Sequence, residues 1–306
     1  MNYDLYHDES QEGGYWHGIL LVPESTRGTL LRYMKLVKEE TNYYQPICLK
    51  GLSAKGPRFN CIRTWIQLGA GALMQSFKND PYKVLVGTRE YSPEDKKVYT
   101  SYNNLLKIDS DNKIIGAKFI LFKEQDRHFR MGDMYPDFAS RIETTFRMGI
   151  KGGIHWLGTP DNPIHIKSIH FDGHEHHRRN IDRKRIIDRV YGLRDYCSFE
   201  KDINIDDRTG KNDTENCQSP DDCQFLQLTD LLVGSFRTVL GCSKNDVQRE
   251  VSYPIKRLID EWQKGYARMT RSRWFRGFWT SECWIENDRW EFRDFRVKND
   301  KQMKLL

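Results

Sequence analysis

Asp230 lies inside the apolar run Phe225-Leu226-Gln227-Leu228-Thr229-Asp230-Leu231-Leu232-Val233-Gly234, a composition that calls for a buried helix. At about 100° per residue, Phe225, Leu228, Leu232, Phe236 and Val239 form one stripe, and Leu226, Val233 and Leu240 form another. Gln227, Asp230 and Gly234 share the remaining arc. A carboxylate on a mostly buried helix costs several kcal/mol unless something positive meets it. What Asp230 faces is therefore the question the fold has to answer, and Asp8 and Asp172 pose it again.

Each of these two acids follows a strand-like segment. Tyr3 to His7 reads as a strand ending at Asp8-Glu9-Ser10. A Gly-Gly turn at 13–14 leads to a second strand, Tyr15 to Val22, stopped by Pro23. Ile164 to Phe171 alternates imperfectly through Ile164, Ile166, Ile169 and Phe171, as an interior strand, and ends at Asp172-Gly173. Further strands are expected at Pro46–Leu52, Lys83–Val86 and Lys118–Phe122. Helices are expected at Thr29–Glu40, Ile62–Phe77, Phe138–Met148 and Arg178–Leu193, and from Ser252-Tyr253-Pro254 onward, where a cap precedes a proline. The Asp230 helix should end at Gly241. Gly69-Ala70-Gly71-Ala72 falls within a helical pattern, which favours close helix packing over a phosphate loop. Residues 88–115 read as a surface excursion, Gly152 to Pro163 as a loop, and 200–223, rich in Asp, Asn, Ser and Gly, as a mobile loop.

Acids at strand ends are where an open α/β sheet places active groups. If Asp8, Asp172 and Asp230 converge, their repulsion calls for a cation, and an all-oxygen site suits Mg²⁺ or Mn²⁺ better than Zn²⁺. Such a site can deprotonate a water for attack on a phosphodiester.

The segments His7-Asp8-Glu9-Ser10, Ile169-His170-Phe171-Asp172 and Gln227-Leu228-Thr229-Asp230-Leu231-Leu232 resemble, in order and spacing, a bacterial family known as domain of unknown function 3800. There an opening strand ends in D-E-S, a later strand ends in D, and a late helix carries Q-L-A-D-L-L. The resemblance covers residues 1 to 241. It implies an RNase H-like fold, a mixed β-sheet flanked by helices, with Asp8, Asp172 and Asp230 as metal-binding acids and Gln227 beside them. Residues 242–306 would form a C-terminal helical and aromatic extension. Two departures stand out. Thr229 replaces the usual Ala, and Ile47-Cys48-Leu49-Lys50 lacks an acid that the family often carries before a lysine. A fourth acid would have to come from Glu9, Glu143 or Glu175.

The neighbourhood of Asp172 supplies both histidines and cations. His170, His174, His176 and His177 surround it. His174 is a candidate helper base or phosphate ligand, and Asp172, His174 and His176 offer a histidine-ligated zinc site as a separate reading. Over 178–195 seven cations, among them Arg178, Arg179, Arg183, Lys184 and Arg185, face three aspartates. That excess suits contact with nucleic-acid phosphates, as Gln227 would beside the acids, although a solvated helix face has the same composition. From Tyr266 to Arg296, arginines interleave with Trp274, Phe275, Phe278, Trp279, Trp284, Trp290, Phe292 and Phe295. Such a segment stacks bases, packs as a subdomain, or docks a protein partner.

Composition excludes little beyond this. The chain has 306 residues, 38% of them hydrophobic and 12% aromatic, with a net charge of +6. Seven cysteines without a CxxC pair fit structural thiols in a reducing cytosol. MNYDLYHDES does not read as a signal peptide, so none is expected there, and no run approaches the ~20 apolar residues of a membrane span. The expectation is a cytoplasmic, metal-dependent nuclease acting on DNA or RNA. Its alternative is a catalytically silent RNase H-like module that binds nucleic acid or a partner ATPase.

Overall fold

In the computed structural model the chain forms one seven-stranded mixed sheet. Described are residues 1–10, 12, 14–73, 116–124, 149–150, 153–154, 157–158, 163–172, 197–206, 219–243, 245–268, 277–286 and 289–294. Strands β1 (Asn2–Ser10), β2 (Tyr15–Pro23) and β3 (Lys118–Glu124) make an antiparallel meander. β4 (Ile164–Phe171) joins β1 in parallel, and β5 (Cys197–Asp206) joins β4 in parallel. On the far side, β6 (Phe278–Glu286) runs parallel to β3 and carries β7 (Arg289–Asp294) antiparallel. The order is β5-β4-β1-β2-β3-β6-β7.

Both sheet faces are covered, which is why every residue of β2 is buried. On one face lie α1 (Glu24–Thr41), α2 (Pro57–Leu73), α3 (Pro220–Arg237) and α5 (Tyr253–Arg268), with the short α4 (Asp246–Val251) beside them. Tyr6, Trp16, Leu20, Phe119 and Phe278 point into this layer. Tyr3, Leu5, Ile19, Ile120, Phe122 and Trp279 point the other way, against Ile150, Ile154 and Leu157. No described helix is long and apolar enough to cross a membrane.

The imperfect alternation in β4 has a physical cause. Tyr3 pairs with Ile166 but Asp4 pairs with Ser168, so Lys167 is an extra residue, a β-bulge. Ile164 and Ile166 before the bulge, and Ile169 and Phe171 after it, all enter the same core layer. The even-numbered residues beyond the bulge are thereby turned to the opposite face, the side of α3.

Several expectations are corrected. Residues 46–52 are a loop, not a strand. Arg58 donates to the carbonyls of Cys48, Lys50 and Gly51, while buried Ile47 gives its N–H to Gln227. Residues 200–206 belong to β5 rather than to a loop. The described residues between Gly149 and Leu157 are helical, where a loop was expected around Gly152 and Gly153. A Cβ at Gly149 or Gly153 would collide with Phe122 or Ile120, so these glycines allow close packing. The C-terminal segment does not stand apart from the rest, because β6 and β7 extend the same sheet. Cys48, Cys61, Cys197 and Cys283 are free thiols, whereas Cys223 is disulfide-bonded. The expected strand at 83–86, the surface excursion at 88–115 and the helices at 138–148 and 178–193 lie outside the described residues.

The Gly69 expectation holds: it lies in α2, where a Cβ would stand 3.0–3.2 Å from Leu232 and Leu228 of α3. Gly18 of β2 is tighter still, since a Cβ there would collide with Val233. Gly18→Ala should therefore destabilise the fold by about 1–3 kcal/mol in urea denaturation. Gly28→Ala, on an exposed helical position with open space around it, should be neutral or stabilising. Equal midpoints for the two variants would refute the packing account.

Candidate functional site

Parallel pairing of β1 with β4 brings the C-terminal ends of the two strands together. His7 pairs with Phe171, and the Asp172 N–H donates to the His7 carbonyl at 3.2 Å. Asp8 and Asp172 thus occupy neighbouring positions on adjacent strands, and both are buried. Asp8 shares its sheet face with Tyr6 and Ser10, because side chains alternate along β1. Asp172 shares the same face with His170, which stacks on Tyr6 at 5.0 Å. The bulge at Lys167 produces this agreement. Without it, Asp172 would point into the opposite layer.

α3 crosses the same face. Phe225 stacks on Tyr6, Val233 sits over Gly18, and Phe236 stacks on Phe119 at 5.2 Å. Another side of the helix, Leu228 and Leu232, meets α2. Gln227 and Gly234 meet the 46–52 loop, through the Ile47 N–H and the Leu49 side chain. Asp230, half-buried, lies on the stripe Asp222-Leu226-Asp230-Val233-Arg237.

Both ends of that stripe grip the sheet. Asp222 Oδ1 accepts from Tyr6 Oη at 2.6 Å and from Arg27 at 2.7 Å, and lies 3.8 Å from His170 Nε2. Arg237 donates to Ser10 Oγ and to Glu12. The stripe therefore touches β1 two residues before Asp8 and two residues beyond it, and Asp230 stands between those contacts. Among the described residues, no group of three or more His, Cys, Asp or Glu side chains is arranged to hold a metal ion. Asp8 and Asp172 are neighbours on adjacent strands and Asp230 lies on the helix that crosses their face, but among the described residues the three do not form a closed cage.

Two proposed residues have other roles. Glu9 alternates to the opposite face from Asp8, where its Oε2 accepts from Tyr15 Oη at 2.6 Å. It is not placed to be a fourth ligand. Gln227 is fully buried and its Oε1 accepts from the Ile47 N–H at 3.2 Å, so it braces a loop instead of meeting nucleic acid. Of the C-terminal aromatics, Phe278 and Trp279 are core residues in opposite layers. His174, Arg178, Arg179, Arg183, Lys184, Arg185, Glu143 and Glu175 lie outside the described residues.

Sequence reasoning missed two buried polar networks. The first joins Tyr6, Arg27, His170, Ser219 and Asp222. Burial opposes ionisation of Asp222. The charge of His170 and hydrogen bonds from Ser219, Tyr6 and Arg27 outweigh it and hold the carboxyl below its ordinary value. The second network lies on the opposite face. His17 Nε2 is 2.8 Å from Glu124 Oε1, both fully buried, and His17 Nδ1 is 3.4 Å from His7 Nε2. Nothing in a linear pattern pairs residues so far apart in the chain.

Ser168 Oγ, 3.1 Å from His170 Nε2, invites comparison with a nucleophilic triad. The geometry is wrong for one. A triad uses both imidazole nitrogens, whereas Ser168 and Asp222 both approach Nε2, and the Ser168 hydroxyl donates to Asp4 at 2.7 Å.

No family model, curated protein or solved structure matches this chain. The site is therefore read from its own chemistry.

Asp222 gives the first test. A carboxyl lowered in the native state stabilises fully above about pH 5 and loses that contribution as pH falls through its native value, below about 3.9. Asp222→Asn should lower stability at neutral pH and flatten the acid limb of the stability curve, read as urea midpoints. An acid limb as steep as wild type would mean that Asp222 does not carry it.

Proposed function

We propose that this chain is a metal-dependent nuclease of RNase H-like architecture that hydrolyses phosphodiester bonds in DNA or RNA. One observation carries the reading: the bulged parallel pair β1–β4 sets Asp8 beside Asp172 on the face crossed by the Asp230 stripe. The strand arrangement supports it as well. A three-stranded meander with two parallel strands added beside its first strand is what an RNase H-like sheet asks for.

Asp8, Asp172 and Asp230 would hold Mg²⁺ or Mn²⁺. The donor set fits, since it offers only carboxylate oxygens to a hard cation. Among the described residues the side chains as they stand do not enclose an ion, so substrate phosphate oxygens would have to complete the coordination. A bound ion would supply an activated water and offset charge developing on the leaving oxygen. The chain's own contribution is positional. The strands fix two acids side by side, and the third lies half-buried on the helix that crosses the same face.

The alternative, a silent module that binds nucleic acid or a protein, draws on the absence of a closed carboxylate cage among the described residues. Cleavage separates the two readings. Asp230→Asn and Asp172→Asn should each abolish Mn²⁺-dependent cleavage of labelled single- and double-stranded DNA and RNA. Metal affinity, read by calorimetry, should rise when oligonucleotide is present. Cleavage at the wild-type rate by folded Asp230→Asn protein would defeat the nuclease assignment, and saturable oligonucleotide binding with no cleavage would favour the silent module.

A further inference from the structure

Arg237 is a buried arginine beside a site made of acids. Its side chain is 5% exposed, and among the described residues its Nε–H meets no acceptor. One terminal nitrogen donates to Ser10 Oγ, a neutral partner. The other donates to Glu12, whose side chain is 66% exposed on the turn between β1 and β2. A desolvated guanidinium needs an anion. Here that anion is a carboxylate reaching in from the surface.

The location gives this pairing a consequence. Ser10 lies on the Asp8 face of β1, two residues farther along, or about 7 Å at strand rise. Immediately after Arg237 the helix terminates through Thr238–Cys242, where Gly241 takes a left-handed conformation (φ 90°, ψ 13°). A guanidinium fork accepts phosphate oxygens by the same geometry with which it accepts carboxylate.

We propose that Arg237 receives a phosphodiester anion of the substrate, and that Glu12 occupies the fork until the substrate displaces it. The proposal rests on the nuclease reading for the identity of the ligand. It adds the residue that anchors the backbone next to the acids, and a surface carboxylate that competes for it. Binding moves no proton and breaks no bond. The phosphate takes the place of Glu12, which returns to water.

The test uses the full chain with EDTA present, so that cleavage does not intervene. Short fluorescein-labelled oligo-dT and oligo-U are titrated by fluorescence polarisation across a salt series. Glu12→Gln should tighten binding several-fold, and, being exposed, it leaves the fold intact. Arg237→Gln should weaken binding about tenfold and reduce the salt slope by about 1, with Arg237→Lys between it and wild type. Preference for oligo-dT or oligo-U identifies the nucleic acid. Wild-type binding that is unchanged in both affinity and salt slope by Glu12→Gln and Arg237→Gln overturns this proposal but spares the nuclease reading. No binding of either oligonucleotide by wild type sinks the nuclease reading and this proposal with it. Arg237-dependent binding in a chain that never cleaves upholds the anion site and leaves only the catalytic reading to fall.

Discussion

The pairing of β1 with β4 is the constraint on which the rest depends. Its partners are distant in the chain, Asp4 and Ser168 being 164 positions apart. Only a parallel alignment places the ends of both strands at one edge; an antiparallel one would carry Asp172 to the start of β1. Register matters as much as direction, because a slip of one residue turns every side chain to the other face. The β4 bulge is such a slip, built in after Ile166. It leaves the apolar residues on their own side and turns Ser168, His170 and Asp172 toward α3.

Tyr6 holds that register. Its ring is stacked between His170 of β4 and Phe225 of α3, and its hydroxyl donates to Asp222. One side chain thus ties together the two strands and the helix that carry the three acids. Burial and the charge of Asp222 push the Tyr6 phenol well above its ordinary value, so it remains a neutral donor. Arg27, which contacts both Tyr6 and Asp222, supplies the positive charge. Asp222 also lies in the first turn of α3, where a carboxylate meets the positive end of the helix dipole. Arg237 at the other end completes the fastening, so α3 is tied to the sheet by a guanidinium near each terminus.

Much of this was legible in the sequence, and the reason differs from part to part. The hairpin, the α1 to α3 segments, β3 and β4 follow from periodicity and from Gly and Pro punctuation, which are local signals. Asp8, Asp172 and Asp230 stood out because each sits where an acid is costly or exposed to function. The 46–52 segment misled because Ile47 and Leu49 alternate as in a strand, although the Ile47 N–H goes to Gln227 and the carbonyls of Cys48, Lys50 and Gly51 go to Arg58. β5 was hidden because Lys201, Asp202, Asn204 and Asp206 give it the composition of a loop. Glu9 and Gln227 were assigned by adjacency to an acid. Sheet alternation sends the first to the opposite face, and helix rotation sends the second into a loop.

The networks that escaped the sequence explain how an acidic site can be built into this sheet. Asp222, Asp4 and Glu24 surround Arg27 at one end of α3, and His17 with Glu124 fills the opposite face. Each buried carboxylate there meets a specific donor, as a low-dielectric interior requires. Asp8 follows the same rule through the Glu9 N–H, which donates to its Oδ1 at 2.8 Å, and Asp172 lies beside it on the neighbouring strand. Under the proposed nuclease reading, a cation would offset the repulsion between two such neighbours. On that reading the strand pair would fix where the metal sits, and the half-buried helix acid would leave room for a substrate phosphate among its ligands.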